Sequence, residues 1–160
     1  MNKISILMGS KSDLKTVNEA INILKEFKVD FEAKVLSAHR TPKEVAKYVE
    51  AAPKGGTKVF IAAAGMSAAL AGVVASHTIL PVIGIPIETK NLKGLDSLLS
   101  TVQMPPGIPV ACMAIGKAGA KNAALFALEI LGLSDARIRV KLLNYKKQMR
   151  LKIKKTKIKI

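Results

Sequence analysis

Five short apolar runs, each followed by a polar turn or a segment of helical spacing, leave few folds open to this chain. Lys3–Met8, Phe31–Leu36, Thr57–Ala63, Val82–Ile85 and Ile108–Ile115 are rich in Val, Ile and Ala. Runs of that length and content read as strands covered on both faces. Between them, Val17, Ala20, Ile21 and Leu24 recur at helical spacing in a segment reaching Phe27. Further helices are expected over Pro42–Ala52, Ser67–Ser76, Asn91–Val102 and Ala118–Leu131, the last closed by Gly132 as a glycine just past a helix end. Pro42 after the hydroxyl of Thr41 is a start signal, and Pro53-Lys54-Gly55-Gly56 is a turn. The alternation predicts a three-layer α/β/α fold around a doubly wound, mostly parallel five-stranded sheet of the flavodoxin/Rossmann-like kind.

The chain has 160 residues, 49% of them hydrophobic, and a mean hydropathy of +0.27, enough apolar material for one domain with its own core. An α/β unit over residues 1–133 is expected, with a C-terminal basic helix over 134–160 capped by Ser134. That helix either belongs to the same domain or docks on a neighbouring subunit. The single cysteine, Cys112, sits in an apolar run and reads as a buried thiol of a reducing compartment. Met1-Asn2-Lys3 runs into a strand pattern without a leader signature. Gly, Pro and polar residues interrupt the Val59–Ile87 region before it reaches the ~20 apolar residues of a membrane span.

A net charge of +15 suggests a polyanion partner until it is located. Eleven Lys or Arg and no acid lie between Arg137 and Ile160, leaving fifteen bases against eleven acids elsewhere. The charge belongs to the tail. With Tyr145 as its one aromatic and no recognisable module, the tail reads as a solvated helix end, and no nucleic-acid partner is expected.

In a doubly wound sheet, ligands bind beyond the carboxyl ends of the strands. The loops in that position are Gly9–Asp13, Ser37–Arg40, Ala64–Ala69, Pro86–Asn91 and Gly116–Asn122. In the first, a glycine and two hydroxyls precede a helix N-terminus, a place that favours phosphate. Asp13 can accept hydrogen bonds from a diol; equally, Ser10 and Asp13 can form a helix cap with no ligand. In the second, His39 suits proton transfer near neutrality and Arg40 suits a phosphate. The third, Ala63-Ala64-Gly65-Met66-Ser67-Ala68-Ala69, either packs helix on sheet or lets a flat ring lie against backbone. The generic nucleotide motifs are absent. The residues themselves therefore point only to a small phosphorylated metabolite.

Four blocks then carry a resemblance: Met8-Gly9-Ser10-Lys11-Ser12-Asp13, Ser37-Ala38-His39-Arg40-Thr41-Pro42, Gly94-Leu95-Asp96-Ser97-Leu98 with Val102-Gln103-Met104-Pro105, and Ala114-Ile115-Gly116-Lys117-Ala118-Gly119-Ala120-Lys121-Asn122-Ala123. Together they resemble the N5-carboxyaminoimidazole ribonucleotide mutases, the AIR carboxylase catalytic subunit family of purine biosynthesis, collinearly over residues 3 to 131. The resemblance implies an isomerase that moves a carboxylate from the exocyclic nitrogen of an aminoimidazole ribonucleotide to ring carbon 4. It implies no metal or other cofactor, a cytoplasmic setting and a homo-octamer without membrane contact. By the same resemblance His39 is the general acid and base, Ser10 and Arg40 hold the phosphate with Ser12 and Ser37 nearby, and Asp13 holds the ribose. Ala38, Ala64, Gly65 and Met66 complete the substrate site, and a small, dry pocket is expected, built by the Ala64–Ala69 loop and Met104-Pro105. The third loop departs from the family pattern: Ala69 stands at its histidine and Ala71 at its proline. His77, eight residues further on, is expected to lie too far away to substitute. Direct carboxylation of the aminoimidazole ribonucleotide by carbon dioxide, and a module binding nucleic acid through its basic tail, stand as the alternatives.

Overall fold

A computed structural model of the chain describes residues 2–158. Its five strands are β1 (Lys3–Met8), β2 (Phe31–Val35), β3 (Thr57–Ala64), β4 (Val82–Pro86) and β5 (Ala111–Cys112). Its α-helices are α1 (Leu14–Phe27), α2 (Pro42–Ala51), α3 (Leu70–Ser76), α4 (Leu95–Val102), α5 (Gly116–Gly132) and α6 (Ala136–Lys155). Short 3-10 turns cover Lys11–Asp13 and Ala52–Gly55. The strands form one sheet in the order β2-β1-β3-β4-β5, all pairs parallel. The direction of winding reverses at β1, whose neighbours are β2 and β3, and the loops that leave β1 and β3 open at that switch point.

Alternation along the central strands builds two cores. Ile4, Ile6, Met8, Val59, Ile61, Ala63, Ile83 and Ile85 face the α1/α5/α6 side, while Leu7, Phe60 and Ala62 meet Val45, Val49, Leu70 and Val74 of α2 and α3. On the first side Ala120, Ala123, Ala124 and Ala127 are fully buried. Their small side chains bring α5 close to both α1 and the sheet. On the second side Ser5 is fully buried yet satisfied, through Thr57 Oγ1 at 2.7 Å and the Tyr48 hydroxyl at 2.9 Å.

Several expected boundaries move, each for a local reason. β5 shrinks from Ile108–Ile115 to two residues, because it is an edge strand and Pro109 has no N–H for the ladder. α3 starts at Leu70 rather than Ser67, after Met66 has taken a left-handed φ of 58°. α4 starts at Leu95, because Lys93 and Gly94 are left-handed at 52° and 90°. Gly132 is the last residue of α5 but takes no left-handed turn beyond it; a Cβ there would stand 3.4 Å from Leu142 Cδ1, so its smallness seats α6. Thr41 precedes α2 but makes no side-chain cap; its hydroxyl instead closes the Ser37–Thr41 loop, donating to Ser37 O and accepting from Ser37 N. Asp135, not Ser134, caps α6. That helix packs through Ile138 and Leu142, with Tyr145 5.6 Å from the Phe27 ring.

Candidate active site

Ser10 and Asp13 form a reciprocal capping box on the turn after β1. Ser12 N donates to Ser10 Oγ at 3.4 Å, and Ser10 N donates to Asp13 Oδ2 at 2.9 Å. The Ser12 hydroxyl lies 3.0 Å from Ser10 Oγ and 3.3 Å from Asp13 Oδ1. Asp13 is buried, and desolvation pushes its carboxyl above the usual range although the Ser10 amide, the Ser12 hydroxyl and Arg40 all pull it down. The cap expected from the residues alone is therefore present, and it holds a carboxylate ready at the mouth of the switch point.

Arg40 ties the second loop to the first. Its Nη2 donates to Gly9 O at 2.8 Å, and Ser37 Oγ accepts from Arg40 N at 3.2 Å and Nε at 3.4 Å. The remaining guanidinium N–H donors are available for an anion. His39, exposed beside it, makes no side-chain hydrogen bond among the described residues. The third loop closes on the fourth: Ile87 N donates to Ala64 O at 2.9 Å, and a Cβ on Gly65 would stand 3.5 Å from both Ile87 Cβ and Thr89 Cγ2. Thr89 is fixed in turn by donating to Asp96 at 2.8 Å and accepting from Gly94 N at 3.2 Å.

These loops enclose one cleft of about 1320 Å³. Ser10, Ser12, Asp13, Ser37, Ala38, His39, Arg40, Ala64, Gly65 and Met66 all line it, and Ala69 is in its wall. Three expectations fail. The cleft is wide and open rather than small and dry, because none of the described residues covers its outer side. Met104 and Pro105 are not part of it; the Met104 sulfur packs instead against α3, 3.3 Å from where a Cβ on Gly72 would be. Cys112 is half-buried rather than buried, and desolvation raises its thiol. His77 stays away from the cleft, as expected, its Nδ1 3.1 Å from Glu50 at the end of α3.

Residue reasoning missed the lysines. Lys15, Lys90, Lys93 and Lys117 line the cleft with Arg40, against the acids Asp13 and Glu88. Such an excess draws in a multiply charged anion. The signal was present for three of them, since Lys90, Lys93 and Lys117 fall in or next to the loops that follow β4 and β5.

The chain is similar to known proteins over most of its length. A family model described as AIR carboxylase matches residues 3–152. The N5-carboxyaminoimidazole ribonucleotide mutase of Saccharolobus solfataricus is 54% identical over 150 residues, 94% of each chain. That of Bacillus subtilis is 54% identical over 132 residues, 82% of each chain. The crystal structure of Treponema denticola PurE superposes with a TM-score of 0.87 at 30% identity, covering 96% of this chain and 94% of that one.

Proposed function

Because the chain belongs to the AIR carboxylase family, we propose that its cleft carries out the reaction for which its relatives are named, the isomerisation of N5-carboxyaminoimidazole ribonucleotide to its carbon-4 carboxylate in purine biosynthesis. The supporting observation is the convergence of the Ser10–Asp13 box, Arg40 and His39 on one cationic cleft at the switch point. Arg40 and the Ser10, Ser12 and Ser37 hydroxyls hold the phosphate. Asp13 accepts from the ribose hydroxyls, and the imidazole lies along Ala38, Ala64, Gly65 and Met66.

His39 moves the proton. As imidazolium it donates to the exocyclic nitrogen while the carbamate N–C bond breaks and its electron pair returns to nitrogen, releasing carbon dioxide. Ring carbon 4 then attacks that carbon dioxide to form the new C–C bond. The imidazole, now neutral, removes the carbon-4 proton and regains its charge. One group serves both halves because histidine exists in both protonation states near neutrality.

A second reading, direct carboxylation of the aminoimidazole ribonucleotide, draws on Ala69, which leaves the cleft wall without the family's second histidine. Product assays separate the two. The carbamate substrate is expected to give the carbon-4 carboxylate faster than aminoimidazole ribonucleotide plus bicarbonate does. The reverse order supports the carboxylase, and no product from either overturns both.

The open outer side of the cleft calls for a neighbour. Leu92, Leu95, Leu99 and Val102 recur at helical spacing along and just before α4, each 48–58% exposed. An apolar stripe of that size on a lone chain is an assembly face. The proposed assembly is an octamer, and its phosphorylated substrate sets it in the cytoplasm, since such metabolites do not cross membranes unaided. The proximal half of α6 packs on its own domain, and the distal half, with Met149 and Ile153 exposed, is the part proposed to dock on a neighbouring subunit. Replacing Leu95 and Leu99 by Asp is expected to convert a sedimenting octamer into smaller species. A monomeric parent, or an unchanged octamer in the variant, defeats the proposal.

A further inference from the structure

Among the described residues, three other than glycine have left-handed backbones: Lys28, Met66 and Lys93. Lys28 terminates α1, and Lys93 leads through Gly94 into α4. Met66 ends no helix. It lies between β3 and α3, in the wall of the cleft, where glycine would take the same φ of 58° without steric cost. A long side chain at such a position, in the wall of the cleft, calls for a use.

The surroundings suggest one. Resting on the reading above, carbon dioxide must stay beside the ring between two bond events, yet the cleft is open. The wall near the third loop is made of Ala38, Ala64, Gly65, Ser67 and Ala69, too short to cover a ring, and Ile87 beside Gly65 is packed back against the core. Leu70 is long enough but is held in the core at 1% exposure, whereas Met66 is 69% exposed. The backbone around Met66 is pinned. Its carbonyl accepts from Ala68 N at 2.8 Å, Ser67 O accepts from Ala69 N at 2.7 Å, and Ala64 O accepts from Ile87 N at 2.9 Å. What remains free is an unbranched apolar side chain with several rotatable bonds on a fixed base.

We propose that Met66 is a shutter: its side chain swings over the bound imidazole, excludes water and keeps the freed carbon dioxide in the cleft. It is a positioning residue and exchanges no proton. When the shutter fails, the carbamate N–C bond still breaks and His39 still protonates the nitrogen. The products are then aminoimidazole ribonucleotide and escaped carbon dioxide.

The test follows that partition. With carbamate labelled in its carboxylate, the fraction of consumed substrate that appears as aminoimidazole ribonucleotide is measured for parent, Met66→Ala, Met66→Leu and Met66→Gly, after subtraction of enzyme-free decay. Met66→Ala keeps the Cβ and the backbone restraint while removing the cover. It is expected to raise the escaping fraction about fivefold, with an unchanged melting temperature, and Met66→Leu is expected to restore retention. An Ala variant that partitions like the parent overturns the shutter, as does leakage confined to the Gly variant, which assigns the effect to the backbone. If the parent itself does not consume the carbamate, it is the functional reading that fails, and the two failures are told apart by that first measurement.

Discussion

Replacing His39 by Asn is expected to lower turnover by about a thousandfold or more while the ribonucleotide still binds with near-normal affinity. General acid–base catalysis by one placed side chain contributes roughly 10²–10⁴-fold. His39 is asked to serve twice, once to give a proton and once to take one, so the upper part of that range applies. A thousandfold loss corresponds to about 4 kcal/mol of barrier. Binding survives because the charge that holds the substrate comes from elsewhere: Arg40, fixed to Gly9 O, and Lys15, Lys90, Lys93 and Lys117 around the cleft. Folding survives because the exposed imidazole makes no hydrogen bond to the rest of the described chain. Single-turnover kinetics beside equilibrium dialysis separate the two quantities. A variant that turns over within tenfold of the parent removes His39 from the chemistry, and one that no longer binds makes it a ligand for the substrate instead.

The site was legible in the sequence wherever chemistry and position coincide along the chain. His39 and Arg40 stand next to each other at a strand end, so one short stretch holds a proton carrier and an anion clamp. Ser10 and Asp13 are three residues apart, the spacing of a reciprocal cap, and the structure closes it. What stayed hidden depends on distances through space. Nothing along the chain puts Lys15 on the cleft side of α1, or turns Met104 away from the cleft and onto Gly72. The pocket's openness belongs to the same class, because it is decided by what lies outside a single chain.

The fold shows a similar division. Buried strands with apolar runs on both faces, such as β3 and β4, were readable because covering both faces removes the need for polar alternation. β5 was not, since an apolar run reads the same whether or not its amides find partners, and only its place at the sheet edge with Pro109 decides that. Gly132 does end α5, but for a different reason from the one expected. A glycine that turns left-handed past a helix and a glycine that admits a crossing helix look alike in one dimension, and the Leu142 methyl 3.4 Å from its position of growth tells them apart.

Gly119→Ala carries that lesson into a second large effect, this time on folding. In an open helix the change is favourable, since Ala is preferred over Gly by about 1 kcal/mol in a helix interior. Here a Cβ would overlap the Ala114 carbonyl oxygen and stand 2.6 Å from the carbonyl carbon, both backbone atoms that cannot rotate aside. Relief requires α5 to slide, but its fully buried Ala120, Ala123, Ala124 and Ala127 hold it against α1 and the sheet. Overpacking with little room to relax costs about 3 kcal/mol or more, so the clash outweighs the propensity gain. For a domain of this size that is a fall of roughly 6–12 °C in melting temperature, and it removes a large part of a total stability of about 5–15 kcal/mol. Gly55→Ala is the control, with nothing within 4 Å of its Cβ and no positive φ; its melting temperature is expected to stay within about 1 °C of the parent. Calorimetry of the two variants decides the matter. If Gly119→Ala melts no lower than Gly55→Ala, then α5 is not seated against the Ala114 carbonyl as described, and the Gly116–Lys117 corner of the cleft, carried on the same helix, loses its structural support.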